Sequence, residues 1–381
     1  MDSRSRAPRL IIVSSQFHPA VGGAERQALQ LAVALRQQHR PVAVLTLHDP
    51  RRPKTCGWMP VPIVGITFPR IRVIGPLLAY LRGALALRRL ARREPSVVQL
   101  QTLDQLTLVV GLAAVGLRIP VIVRISGAVE MSDGYLSQRR GLRPRLARWL
   151  LRHSARVLAL NPEIEQRLRD LGVDDRAILR LPNAIPDKFF ALPDPEARAR
   201  SRTDHVDVLS VGRLDKFKGG DVLLRAWQSV TRSKPDAHLT MVGDGPERSN
   251  LEALARNLSI GDTVSFTGTS FDVAEQYGTA GLFVLPSIQE GMPNALLEAM
   301  AAGLPCVASD LPGTRGIVED GTSGMLVPAG DPQALAGALI ELLGDERTRQ
   351  KLGLAARERV RPWASSHLVE THMDLHRKVC A

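Results

Sequence analysis

The sequence predicts an α/β protein of two doubly wound domains, each built on a parallel sheet. Short apolar runs alternate with helical stretches, as in parallel strands joined by crossover helices. A glycine pair follows the first strand of each half, Gly22-Gly23 and Gly219-Gly220, where such sheets bind their ligands. The chain has 381 residues, of which 44% are hydrophobic, so it is long enough for two domains with separate cores.

The first half begins with a strand, the Gly22-Gly23 turn and a helix over Arg26–Gln37. Six apolar runs in this half are predicted to be buried parallel strands: Arg9–Ser14, Val42–Leu47, Val97–Leu100, Val121–Ile125, Val157–Leu160 and Ile178–Leu181. Residues 186–205 are rich in Pro, Arg and Asp without apolar periodicity, which predicts a linker between the domains.

The second half repeats this rhythm and ends in a helix over Trp363–Val379. Cys306 lies in an apolar strand pattern and is predicted to be a core residue without a chemical role. The four other strands predicted here are Val206–Val211, His238–Val242, Val264–Thr267 and Gly281–Leu285.

Composition narrows the function. Aromatic residues make up 4% of the chain, too few for a stacking-based nucleic-acid binder, and no nucleic-acid module is recognisable. Three scattered cysteines indicate a reducing cytoplasm, and neither a signal peptide nor a membrane span is predicted. No Asp-x-Asp and no metal-ligand spacing occur, so no metal and no cofactor are expected.

Charge is unevenly divided between the halves: residues 1–200 carry a formal net charge of +17 and residues 201–381 carry −5. Two basic helices lie in the first half. In Leu77–Arg93 the five Arg fall mostly near the end, without a clean amphipathic face. In Arg139–Arg152 the apolar Leu142, Leu146, Trp149 and Leu150 share one face beside a stripe of Arg145, Arg148 and Arg152. This second helix is interpreted as either a solvated surface helix or a contact with an anionic membrane. A GC-rich genome is a further explanation of the excess charge, since nearly all of the positive charge is Arg.

Two segments of the second half carry groups suited to an anionic, sugar-containing ligand. In the first, Arg213 and Lys218 stand in a glycine-rich turn after a strand, where Arg can clamp a phosphate and Lys can add a point charge. In the second, a loop with Glu290 precedes a helix whose first turn is predicted to hold Pro293 and whose second turn holds Glu298. The helix start can receive a phosphate, and the two carboxylates are too far apart in sequence to act as one close pair.

These segments resemble family 4 of the retaining glycosyltransferases, which have the GT-B fold. The resemblance rests on Glu290-x7-Glu298 around Gly291-Met292-Pro293-Asn294, on Gly303-Leu-Pro305, on Gly321-x-x-Gly324 and on Gly212-Arg213-Leu214 with Lys218-Gly219. It implies two Rossmann-like domains facing across a cleft and a C-terminal helix that crosses back. The implied parts are an acceptor domain over 1–185, the linker over 186–205, a donor domain over 206–362 and the last helix over 363–381.

The resemblance also implies residue roles. Arg213 and Lys218 would bind the diphosphate and, with Glu290 on the donor sugar, form the catalytic set. Donor-binding residues would be Gly22, Gly23, Gly291, Met292, Pro293, Asn294 and Glu298, the last on the ribose. The acceptor side would include Ser126, Gly127 and His18, and Ser126 stands where many members have His.

The sequence thus predicts a retaining, metal-independent glycosyltransferase of bacterial polysaccharide, lipopolysaccharide or glycolipid synthesis. The donor would be a nucleotide-diphosphate sugar, with a UDP-sugar favoured, and the acceptor a glycan or lipid-linked molecule. The protein would be cytoplasmic, at the inner face of the membrane. Two alternatives share the fold: a catalytically silent subunit of a polymer-synthesis complex, which Ser126 favours, and a nucleotide-sugar epimerase, which the Glu290 and Glu298 pattern disfavours.

Overall fold

The structure, a computed structural model, describes residues 8–17, 22–47, 61–66, 74–92, 94–125, 141–193, 206–270 and 272–380. The chain divides into two compact units, Met1–Ala184 with Ser365–Ala381, and Ile185–Ala364. Among the described residues each unit contains one sheet whose strands are all parallel, so both predicted doubly wound domains are confirmed.

The first unit has a seven-stranded sheet in the order β3-β2-β1-β4-β5-β6-β7. Its strands are β1 Arg9–Val13, β2 Val42–Leu47, β3 Ile63–Ile66, β4 Ser96–Leu100, β5 Val121–Ile125, β6 Arg156–Ala159 and β7 Ile178–Arg180. Its helices are α1 Gly23–Gln37, α2 Ile74–Ala91, α3 Gln105–Gly116, α4 Leu142–Arg152, α5 Pro162–Asp170 and the last helix of the chain, Ser365–Cys380. Six strands were predicted within one residue at each end, and β3 was not predicted.

The core of the first unit contains a buried polar cluster where the last helix packs on the sheet. The Oε1 atom of Gln99 lies 3.2 Å from Nε2 of His376. Arg124 donates to Gln101 and to Asn183, and all three side chains are buried. Burial lowers the pKa of His376 to about 4, because an imidazolium would lose its hydration there.

The second unit has a six-stranded sheet in the order β10-β9-β8-β11-β12-β13. Its strands are β8 Asp207–Val211, β9 His238–Val242, β10 Val264–Gly268, β11 Leu282–Leu285, β12 Cys306–Ser309 and β13 Met325–Val327. Its helices are α6 Asp187–Phe190, α7 Gly220–Ser233, α8 Arg248–Asn257, α9 Ala274–Thr279, α10 Asn294–Ala301, α11 Pro312–Arg315, α12 Pro332–Gly344 and α13 Glu346–Val360. The last helix of the chain, Ser365–Cys380, is numbered α14 and belongs to the first unit. Cys306 is fully buried, and burial raises the pKa of its thiol, so it is a core residue as predicted.

The predicted linker is wrong in its first part, because residues 186–193 belong to the second unit. Helix α6 lies there, and its Phe189 is buried edge-on against Tyr277, with ring centroids 5.4 Å apart. A buried aromatic ring fixes this segment on the unit although its sequence has no apolar period. Residues 194–205 lie outside the described part of the chain.

Helix α4 packs differently from its prediction. Its buried residues are Ala147, Leu150 and Leu151, whereas Leu142 and Trp149 are exposed. Arg152 is engaged rather than solvated, since its Nε and Nη2 atoms donate to the carbonyl of Leu171 at 2.9 and 2.7 Å. The helix faces the core with a narrower, shifted stripe, and the predicted apolar face is divided between core and solvent.

Candidate active site

The site residues of the second unit lie where the strand order of its sheet reverses. From β8 the chain moves to β9 and β10 on one side, while β11, β12 and β13 lie on the other side. The connections after β8 and β11 therefore lead towards opposite ends of the sheet, and such a reversal leaves a crevice at the carboxyl edge, the usual ligand position in open α/β sheets. A hollow of about 380 Å³ lies at this edge, lined in part by Arg213, Lys218 and Pro286.

Tight backbone packing holds the turn after β8. A Cβ atom on Gly243, in the turn after β9, would lie 1.8 Å from the carbonyl oxygen of Gly212. A Cβ on Gly245 would lie 2.2 Å from the carbonyl oxygen of Leu214. No side chain fits at either place, so the glycines fix the backbone on both sides of Arg213. The Arg213 side chain itself is 67% exposed, and its Nε lies 3.8 Å from Asp215 Oδ2.

Lys218 ends a short 3-10 turn, Lys216–Lys218, that is joined to the segment after β11. The Ile288 amide donates to the Phe217 carbonyl at 2.8 Å. Gly219 follows in the left-handed conformation, φ 64°, and a Cβ there would lie 2.0 Å from the carbonyl oxygen of Pro286. Glycine alone satisfies both the dihedral angle and the contact. Lys216, in the same turn, is exposed.

Lys218 and Glu290 form the central pair of the site. Lys218 Nζ lies 2.6 Å from Glu290 Oε1, and the Ser287 hydroxyl donates to the same oxygen at 2.7 Å. The Glu290 side chain is 8% exposed and that of Lys218 is 32% exposed. Two donors on one oxygen orient the carboxylate, so Glu290 stands in a fixed position beside a cation that still reaches solvent.

Helix α10 begins at Asn294, with Pro293 as its N-cap, so Pro293 precedes the first turn that was predicted to contain it. Met292 is buried. A Cβ on Gly313 would lie 2.6 Å from the carbonyl oxygens of both Glu290 and Gly291, which places α11 directly against the loop. This contact sets the backbone path into α10.

Glu298 lies in the second turn of α10, as predicted, and is buried. The Tyr277 hydroxyl lies 3.3 Å from its Oε2 and 3.1 Å from the Ala295 carbonyl. The structure brings Arg213 and Lys218 to one hollow and Glu290 to Lys218, whereas Glu298 contacts Tyr277. Sequence reasoning missed Ser287, Tyr277 and Gly313. Only Ser287, three residues before Glu290, had a local signal.

In the first unit, Gly22 is the N-cap of α1 and Gly23 is its first residue. The Glu25 carboxyl lies over Gly22, where an added Cβ would meet its Oε2 at 2.0 Å, and burial is the main cause that raises the pKa of Glu25. His18, Ser126 and Gly127 lie outside the described residues. Within the part of the chain that the structure describes, no group of three His, Cys, Asp or Glu side chains could hold a metal ion.

Two parallel-sheet units with a ligand crevice at the strand-order reversal define the class of two-domain Rossmann-like proteins. Comparison with known protein families narrows this class further. Residues 22–184 match the glycosyl transferase 4-like domain, and residues 195–359 match glycosyl transferases group 1. The chain therefore combines a glycosyl transferase 4-like domain with a glycosyl transferases group 1 domain.

Characterised relatives are glycosyltransferases and related enzymes. N-acetyl-alpha-D-glucosaminyl L-malate synthase of Bacillus anthracis is 28% identical over 65% of this chain and 64% of its own length. The lipopolysaccharide core biosynthesis glycosyltransferase LpsD of Rhizobium meliloti is 29% identical over 58% and 62%. An exopolysaccharide phosphotransferase of Streptomyces coelicolor is 33% identical over 58% of this chain but 23% of its own length. The matched part of the chain thus spans less than two thirds of each relative.

Solved structures confirm the GT-B fold. Sucrose-phosphate synthase of Thermosynechococcus elongatus superposes with a TM-score of 0.79 at 25% identity, covering 97% of this chain and 98% of the other. The Anabaena protein HepE, solved with UDP and glucose, superposes with a TM-score of 0.78 at 20% identity, covering 96% and 98%. No described helix is both long enough and apolar enough to cross a membrane.

Proposed function

We propose that this glycosyltransferase is a retaining enzyme that moves a sugar from a nucleotide-diphosphate sugar to an acceptor hydroxyl. The pair of Lys218 and Glu290, held with Ser287 at the crevice of the second unit, is the observation that carries the proposal. The Lys218 ammonium can bind the phosphate of a donor, and the oriented Glu290 carboxylate can accept a hydrogen bond from a sugar hydroxyl. The two groups lie 2.6 Å apart. Relatives in exopolysaccharide and lipopolysaccharide synthesis support a role in making bacterial surface glycans or glycolipids.

Departure of the diphosphate is the difficult step, because negative charge grows on its leaving oxygen. Arg213 and Lys218 would stabilise that charge together with the loop that leads into helix α10, Gly291, Met292 and Pro293, and the first helical residue, Asn294. Removing one such donor typically costs about 2.7–4 kcal/mol of transition-state stabilisation. Protein cations would thus meet the phosphate charge, and the reaction would be metal-independent.

In the transfer itself, the bond from the anomeric carbon to the diphosphate oxygen breaks and a bond to the acceptor oxygen forms on the same face. The acceptor proton passes to the leaving phosphate oxygen, so charge and protons balance without a separate base. Glu290 would hold a donor sugar hydroxyl and fix the anomeric carbon near the acceptor. Glu298 would hold the ribose, with Tyr277 orienting its carboxylate.

We further propose a UDP-sugar as donor, since HepE was solved with UDP and glucose. Gly22 and Gly23 would let the backbone of the first unit approach the donor diphosphate. The acceptor, a glycan or a lipid-linked molecule, would lie near His18, Ser126 and Gly127. An enzyme with a lipid-linked acceptor would work in the cytoplasm at the inner membrane face, through the basic first half of the chain.

A thermal-shift screen against UDP-, GDP- and ADP-sugars tests the proposal, with Arg213→Ala and Glu298→Ala as variants. We expect stabilisation by one nucleotide class, lost in both variants, followed by donor turnover in the presence of a chelator. The anomeric configuration of the product, read by NMR, decides whether transfer retains it. Folded protein that no nucleotide sugar stabilises would refute transfer and support the silent-subunit alternative, whereas a changed sugar still attached to its nucleotide would indicate an epimerase.

A further inference from the structure

Helix α2 carries a continuous apolar ridge on its solvent side. Ile74, Leu77, Leu81 and Leu85 are each between 49% and 58% exposed. Their spacing of three, four and four residues places them on one face of an α-helix, along about 16 Å of its length. We call these four side chains the leucine ridge.

The ridge is not the core-facing side of the helix. That side consists of Ala79, Gly83 and Leu87, which are buried. Gly83 lies against helix α3, where an added Cβ would be 3.1 Å from Val110 Cγ2. At 100° per residue these three residues lie roughly opposite the ridge. The packing of α2 on its own unit therefore leaves the ridge exposed to solvent, although the solvent-facing positions of such a helix are normally polar.

Positive charge lies beside the ridge and beyond its C-terminal end. Arg82, Arg88, Arg89 and Arg92 are all exposed, and no acidic residue occurs between Ile74 and Arg92. Among the described residues, Arg88, Arg89 and Arg92 form no ion pair. Leucines flanked by arginines on one exposed surface are the pattern of a helix that lies in a membrane interface, with the apolar side chains among the acyl chains and the guanidinium groups at the phosphates.

We propose that α2 is the membrane-docking element of this enzyme and inserts its leucine ridge into the surface of an anionic membrane. The inference rests on the proposed function, because a lipid-linked acceptor would be met at that surface. A second copy of the chain fits the ridge less well, since its own helix α2 has no acidic residue between Ile74 and Arg92 and would offer the arginines no opposite charge. Anionic lipid headgroups complement the charge and the acyl chains cover the leucines.

Helix α4, the basic helix that the sequence favoured for this contact, is less suited. Its Arg152 is bonded to the Leu171 carbonyl, and its Trp149 is stacked on His153 with ring centroids 4.1 Å apart. Leu142 is exposed at its first position. Two separate exposed side chains do not form a ridge, so we expect α4 to add little to docking.

Co-sedimentation with vesicles of phosphatidylcholine, with and without phosphatidylglycerol, tests the proposal. We expect the wild-type protein to bind the anionic vesicles and the variant Leu77→Ser with Leu81→Ser to lose roughly 10- to 100-fold in affinity, because burying half a leucine side chain is worth about tenfold. Leu354→Ser is the matched control, since Leu354 is an exposed leucine in the interior of helix α13 and should leave binding unchanged.

A second pair of variants tests the charge. Arg88→Ala with Arg89→Ala should lower affinity for anionic vesicles by about 25-fold, at roughly fivefold for each arginine, and the loss should shrink at high salt. Arg225→Ala, an exposed helical arginine of the second unit, should have no effect. Circular dichroism and the nucleotide-sugar thermal shift confirm that each variant is folded.

Three results would overturn the docking role of α2: unchanged vesicle binding of the ridge variant, equal losses in the ridge variant and the Leu354 control, or a wild-type dimer that the ridge substitutions dissociate. Each leaves the proposed transfer reaction intact, because donor stabilisation is measured without vesicles. Failure of that reaction would appear as absent donor stabilisation, whatever the vesicles show.

Discussion

The pairing of Lys218 with Glu290 predicts that one substitution will change donor binding and transfer in opposite directions. The Lys218 charge is compensated by the carboxylate of Glu290, which lies 2.6 Å from its Nζ. A diphosphate that binds Lys218 must do so beside that carboxylate. The variant Glu290→Gln keeps the shape and the acceptor oxygen for Ser287 but removes the negative charge. It should therefore bind nucleoside diphosphate more tightly while it transfers sugar more slowly.

The size of the gain follows from the geometry. Lys218 Nζ lies 2.6 Å from Glu290 Oε1, and a phosphate oxygen on the other side of the ammonium would lie about 2.8 Å from it. Two anions about 5 Å apart repel by about 3 kcal/mol at an effective dielectric constant of about 20. Because Lys218 is 32% exposed, screening by water removes roughly half of this. The remaining 1.5 kcal/mol or so corresponds to about tenfold tighter binding.

The loss in transfer has a separate cause. A hydrogen bond from a sugar hydroxyl to a charged acceptor contributes about 1.5–3 kcal/mol, so kcat/KM should fall by roughly 10- to 150-fold. Isothermal titration with the nucleoside diphosphate of the donor measures the first effect, and steady-state transfer measures the second. Lys218→Ala is the control and should weaken both. If Glu290→Gln weakened diphosphate binding as much as Lys218→Ala does, the charge competition would be wrong.

Three further predictions concern packing and protonation. Gly219→Ala should abolish donor stabilisation, since its Cβ would lie 2.0 Å from a carbonyl oxygen. The control Gly337→Ala, in open space within helix α12, should raise the melting temperature slightly. Equal shifts of the melting temperature in the two variants would contradict this. Ser287→Ala should lower kcat/KM by roughly tenfold or more, because it removes a 2.7 Å hydrogen bond to the central carboxylate. The control is Ser323→Ala, since Ser323 is a buried serine whose hydroxyl accepts from the Glu319 amide. It should lower the free energy of unfolding and leave kcat/KM unchanged. The pKa of His376, about 4 in the folded protein, lies below its ordinary value, so unfolded chains take up a proton first as the pH falls below about 6.5. Urea unfolding should show the wild type losing about 2 kcal/mol more than His376→Gln between about pH 8 and pH 5, and parallel pH profiles would exclude this.

Strands were the most predictable part of the fold because they are buried on both faces and read as continuous apolar runs. The two strands without a prediction, β3 and β13, lie at the outer ends of their sheets. Their burial is partial, so their composition gives a weaker signal. The helix predicted over Leu77–Arg93, which is α2, shows a different limit of the sequence. Apolar periodicity indicates a face but does not say whether that face meets the core or the outside, and α2 presents its leucines outward.

The candidate site was predictable where its residues are close in sequence. The Arg213 to Lys218 turn and the Glu290 to Glu298 segment each have a local pattern. That Glu290 bonds to Lys218, 72 residues away, depends on the strand order that brings β8 beside β11. The contact of Tyr277 with Glu298 joins the helices before and after β11 and leaves no trace in either local pattern.

Four glycines, at positions 219, 243, 245 and 313, occupy points where the backbone of one turn touches the carbonyl oxygens of another. These contacts join the turns after β8, β9 and β11 to the start of α11. The backbone of one turn therefore cannot move without moving the others. A descendant that bound a different ligand here could not do so by reshaping one of these loops. It would have to exchange side chains standing on an unchanged backbone, and single substitutions at exposed positions such as Arg213 are where such divergence should begin.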